Sequence, residues 1–225
     1  MPEPMNAGNR LKRGPYRIGI AGEWALQDLY VYPRAFGQLY SFMYAITTGR
    51  VVPPLDEEVG DETENPLFSH PWIGGYSTVN FFGYVTSSVS RSHRPRLLSM
   101  QYASPGWIEF AVVLSAASAV SLLVARFTKV GHQLNDLYNA IYKGLHDRKM
   151  MQMDVRERAL SLEREELKFL EESTNKMAEM MGFENVAELN RLTGNPIATL
   201  KALLAVYRRV KALGKYELSG KAKLP

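Results

Sequence analysis

Cysteine is absent from the 225 residues, which removes disulfides, thiolate metal ligands and thiol nucleophiles, and excludes a small cross-linked secreted scaffold. A reducing cytosol is the expected home. The first twelve residues lack an apolar core, so no secretory signal is expected. Histidine is scarce, and His70, His93, His132 and His146 stand far apart without ligand spacing; metal binding is not expected.

Catalytic patterns are equally thin. Ser173-Thr-Asn-Lys176 has the SxxK spacing of a serine acylase but none of its companion motifs. Gly19-x-Ala21-Gly22 follows a strand without the full phosphate-binding fingerprint, and a tight strand-to-helix turn explains it. Glu23, Asp28 and Glu109 lie near expected helix starts, where the helix dipole favours acids without catalysis. No catalytic residue and no cofactor is assigned. Uninterrupted apolar sequence is also short. Phe110 to Ala125 spans sixteen residues between Glu109 and Arg126, under the roughly 20 needed to cross a bilayer.

What is present is a net charge of +4, unevenly spread. Residues 51–64 carry six acids and no base, whereas residues 196–225 carry seven bases and one acid. A basic end facing an acidic loop invites either a mutual contact or an anionic partner.

Periodicity divides the chain. Tyr16 to Gly22 alternates as a strand, and Leu26, Leu29, Tyr30, Phe36, Tyr40 and Met43 then follow helical steps, with Pro33 expected to kink or split the helix. Residues 47–73 read as a long acidic loop. Tyr76 to Val89 reads as a helix capped by Ser77, and Leu98 to Tyr102 as a second strand. Ser104-Pro105 is a helix-start signal, which places a buried Ala/Ser-rich helix over 105–130. A charged helix over 132–181 stops at Gly182, and a basic helix over 196–214 leaves a tail at 215–225.

The expected fold is α+β. A flexible N-terminus at 1–15 precedes a small unit of two strands with aromatic-rich helices over 16–103, and a mainly helical region follows over 104–225. Tyr32, Phe36, Tyr40, Phe42 and Tyr44 point in more directions than one helical stripe can bury, so they are interface candidates. Leu160, Leu167 and Leu170 offer a second contact stripe, although Glu163 and Thr174 interrupt its heptads. Two strands alone are marginal, which points to helix cover or a second chain.

The expected role is that of a non-enzymatic intracellular subunit that forms homo-oligomers or binds a protein partner. Two alternatives remain at this stage. The apolar segment 110–125 fits a membrane-engaging effector, and Lys201, Arg208, Lys211 and Lys215 fit a weak nucleic-acid contact along the terminal helix.

Overall fold

The computed structural model describes residues 11–48, 74–150, 163–184, 186–193 and 196–225. The expected acidic loop beyond Thr48, the candidate Leu160 and most of the expected flexible N-terminus lie outside them. The fold is α+β, with helices packed on a four-stranded antiparallel sheet of order β2-β3-β1-β4.

Strand β1 (Arg13–Ile20) buries Tyr16, Ile18 and Ile20 on one face and turns Arg13, Pro15 and Arg17 to the other, as period-2 geometry requires. It starts earlier than expected, taking Arg13 to Pro15 out of the supposed flexible segment. Helix α1 (Leu26–Thr48) runs through Pro33 as one element, so the expected split does not occur. Helix α2 (Gly74–Ser87) begins before Ser77, which therefore lies inside the helix rather than at its cap.

The largest correction concerns residues 105–113. Strand β2 (Arg96–Gln101) turns through the cis Ser104–Pro105 bond into strand β3 (Gly106–Val113), not into a helix. A Cβ on Gly106 would lie 2.4 Å from the Gln101 carbonyl oxygen, so the hairpin closes only over glycine. Ile108, Phe110 and Val112 face the core, while Trp107 and Glu109 face away. The apolar run is thus a strand followed by a helix.

Helix α3 (Leu114–Asp147) starts directly after β3 and kinks at Val130, where a stop was expected. Ala116, Ala117, Val120, Leu123 and Val124 form its buried face, and Ser115, Ser118 and Leu122 face outward. The expected continuous helix over 132–181 is not formed. Lys149 adopts a left-handed φ of 53° and the Met150 amide bonds the Leu145 carbonyl at 2.8 Å, which closes the helix end. Helix α4 (Arg164–Met181) has its own capping box from Glu163 and Glu166 and ends at left-handed Gly182, as expected for that glycine.

Helix α5 (Val186–Thr193) leads to helix α6 (Pro196–Leu218), which outlasts its expected end. The supposed tail then supplies strand β4 (Ala222–Lys223), paired to Ile20 and Gly19 of β1. One continuous hydrophobic core joins residues from both halves of the chain. Helix α1 sits at its centre, with the sheet beneath and α2, α3 and α6 around it. That position explains the aromatics. Phe36 stacks on Tyr16 and Phe110, Phe42 packs on Phe81 and Phe183, and Tyr32 packs on Trp24 and Tyr216.

Candidate interaction surface

The helix layer leaves one strand uncovered. Among the described residues β2 is a sheet edge, paired only to β3, and it exposes Leu97 (60%), Leu98 (55%) and Met100 (39%), with Tyr102 (62%) just beyond its end. Met100 pairs with Ile108 and Leu97 with Phe110, so both belong to the face on which the helices pack. A register shift between Leu97 and Ser99 inserts Leu98 as an extra residue, which adds a third apolar side chain to a short edge.

One end of β2 is tied to α1 and the other to the turn that leads into it. Before the strand, the Tyr40 hydroxyl donates to the His93 carbonyl at 2.7 Å and the Tyr44 hydroxyl meets His93 Nδ1 at 2.7 Å. After it, the Trp24 amide donates to the Tyr102 hydroxyl at 3.4 Å, next to the exposed Leu26 and Tyr30 in the first turns of α1. The strand therefore flanks α1 along its length. On the opposite face, Ser99 donates to Glu109 Oε2 at 3.2 Å and accepts from Trp107 Nε1 at 3.3 Å. Arg17 completes this network, pairing with Glu109 at 3.0 Å and lying 4.8 Å over the Trp107 ring. These links hold the edge in register while its apolar side chains stay open to solvent.

Elsewhere the polar groups brace the fold. The Asp28 carboxylate accepts from Lys221 Nζ at 2.9 Å, from the Ala25 amide at 2.9 Å and from the Tyr216 hydroxyl at 2.8 Å. The Lys221 bond, followed by the other two, holds its carboxyl below the usual range. Burial pushes the phenols of Tyr40 and Tyr216 up to about 12, so both stay protonated donors at neutral pH. Arg209 lies half-buried over Phe82, where desolvation and the nearby Arg208 and Arg34 lower its pKa.

An open cleft of about 560 Å³ lies between β1 and α3, bordered by Arg17, Ser118 and Leu122. Its floor is closed by the hydrogen bond between the Tyr16 and Ser121 hydroxyls. Burial raises the Tyr16 pKa, and Arg17 is engaged by Glu109. Among the described residues no three His, Asp or Glu side chains converge as metal ligands.

The contact candidates drawn from sequence fall elsewhere. Tyr32, Phe36, Tyr40, Phe42 and Tyr44 are all buried within this chain's own core, because α1 is enclosed around most of its circumference from Tyr32 to Ala45. Leu170 is buried, and Leu167 remains partly exposed on α4. The basic residues do not form one strip. Lys201 is only 8% exposed because the first turns of α6 are enclosed, and Lys211 bonds Asn135 beside the Tyr207 ring. Arg208 and Lys215 face solvent further along.

The alternation of Leu98, Met100 and Tyr102 gave the strand, but their exposure depends on where α1 lies, which no local pattern records. One helix among the described residues, α3, is long and apolar enough to cross a membrane by length and composition, and its buried face packs on the chain itself. No family model, characterised relative or solved structure matches the chain.

Proposed function

We propose that this chain is a non-enzymatic interaction subunit that holds another protein chain through β2 and the adjoining flank of α1. The observation that carries this reading is the exposure of Leu97, Leu98, Met100 and Tyr102 on and beside an edge strand that takes no second strand partner among the described residues. Edge strands in lone proteins are guarded by charge, proline or cover. Here Pro95, Arg96 and the bulge guard one end of β2, and the run from Leu97 to Tyr102 has no charged residue and no proline. A strand edge supplies main-chain donors and acceptors, and the apolar side chains supply the buried area that makes such pairing specific.

Leu26 and Tyr30 widen the patch at one end, so six of the ten large apolar side chains that stand exposed among the described residues gather on this flank. That concentration is what distinguishes a contact surface from scattered exposure. The test is site-specific photo-crosslinking in living cells from position 98, with position 218 on α6 as an exposed control. A protein adduct formed from 98 and lacking from 218 is expected. Equal labelling, or no protein adduct from 98, overturns the reading.

A further inference from the structure

We propose that the face of the sheet turned away from the helices is a second contact surface, and that it takes single-stranded nucleic acid. The inference stands on side chains other than those that carry the contact-surface reading of β2. Face membership follows from direct pairing, because residues opposed in an antiparallel ladder share a face. Arg96 pairs with Ala111, and Ala111 with Pro15, so Arg96 joins Arg13 and Arg17 on the outward face ahead of the bulge. Lys223 pairs with Gly19 and joins them from β4, and a Cβ on Gly19 would lie 3.8 Å from that of Lys223.

Four bases thus share the face with one acid, Glu109, and that acid is already taken. Arg17 holds it at 3.0 Å and the Ser99 hydroxyl at 3.2 Å. Arg13, Arg96 and Lys223 enter no ion pair among the described residues. Such a surplus attracts an anion and repels a second copy set face to face.

Planar groups select among anions. The Arg17 guanidinium lies 4.8 Å over the Trp107 ring, and its side chain is 58% exposed. The indole and Glu109 therefore hold it in place while its outer side stays open. An arginine plane braced in this way stacks an unpaired base. Gly19, paired with Trp107 on one side and Lys223 on the other, has no side chain and leaves a flat recess between them. Arg13 and Arg96 toward one end of the face and Lys223 toward the other are placed for the phosphates of the same strand. A duplex keeps its base planes stacked inside, so it gains only the phosphate contacts.

The test is fluorescence anisotropy with labelled oligothymidine and oligouridine of about twelve nucleotides, which separate DNA from RNA as the source, beside a duplex of equal length. Flotation with phosphatidylserine–phosphatidylcholine vesicles runs in parallel. The unmodified chain is expected to bind a single strand with a Kd of about 10 μM or below at physiological salt, and the duplex more weakly. Arg13→Glu with Arg96→Glu should weaken binding by at least about tenfold and flatten the log–log salt slope by about 1.4, the share of two phosphate contacts on a single strand. Lys143→Glu with Lys176→Glu makes the same change of charge at exposed positions of α3 and α4 and should leave both quantities as they were. If the Arg13 and Arg96 variant fails to fold, ultraviolet cross-linking of the unmodified chain to the bound strand decides, with adducts expected at Arg17 or Trp107.

An unmodified chain that binds neither single strand overturns the inference, whether or not it binds vesicles. A duplex held as tightly as the single strand, an equal loss in the Lys143 and Lys176 control, or adducts confined to the helices also overturns it.

Discussion

The Tyr40 hydroxyl accepts the Val113 amide at 2.9 Å, at the residue where strand β3 becomes helix α3. The same hydroxyl donates to the His93 carbonyl at 2.7 Å. One phenol on the central helix therefore fixes both the start of α3 and the loop that delivers the edge strand. Tyr40→Phe leaves a buried amide and a carbonyl without that partner, and it should lower unfolding stability by about 1–3 kcal/mol. Urea midpoints of the two proteins measure this.

Tyr32 should behave in the opposite way. Its hydroxyl is fully buried and has no hydrogen-bond partner among the described residues, although its ring packs on Trp24 and Tyr216. Tyr32→Phe keeps the ring and removes a desolvated hydroxyl. Stability should be unchanged or higher by up to about 1 kcal/mol, given the cost of an unmade buried hydrogen bond. A loss comparable to that of Tyr40→Phe would contradict this account.

Two helical glycines give a second contrast. A Cβ on Gly214 would come 2.2 Å from Phe127 Cδ1, where α6 crosses α3, whereas one on Gly37 in α1 meets nothing within 4 Å. Gly214→Ala should cost about 1–3 kcal/mol through overpacking. Gly37→Ala should gain about 0.5–1 kcal/mol by lowering the entropy of the unfolded chain. Thermal unfolding of both variants would show shifts of opposite sign.

Asp28 sets an acid limit on the C-terminal strand. Its carboxyl titrates lower in the folded chain than its ordinary 3.8, so the unfolded chain binds the proton more readily. The stabilisation is therefore complete above about pH 4 and is lost as pH falls through the lower folded value. Asp28→Asn should remove this part of the acid dependence. Denaturation midpoints measured from neutral pH down to about pH 3, with hydrogen exchange at Ala222 and Lys223, report it. Identical acid slopes in the two proteins would be the contrary result.

Much of this architecture was legible in the chain, and the failures have physical causes. Period-2 and period-3.6 patterns gave β1, α1, α2 and β2, and Gly182 marked the end of α4. Residues 106–125 misled because a strand and a helix follow each other inside one apolar run, and Ser104-Pro105 serves a hairpin turn as readily as a helix start. The alternation of Ile108, Phe110 and Val112 was the available signal. Strand β4 has two residues and no period to detect. The aromatic residues of α1 resembled a contact surface because a helix stretch enclosed around most of its circumference looks, in one dimension, like a helix with nowhere to hide its rings. The exposed edge could be found only once the position of α1 was known.

Strand β1 takes its two neighbours from positions 106–113 and 222–223. During synthesis it must therefore wait for about 90 further residues before its first partner exists, some 5–20 seconds at ordinary rates of translation. Through that interval Ile18 and Ile20 have no sheet to enter, and the nascent chain presents a ready strand to anything nearby. Chaperone capture at the ribosome thus bears on this segment before any mature contact surface has formed.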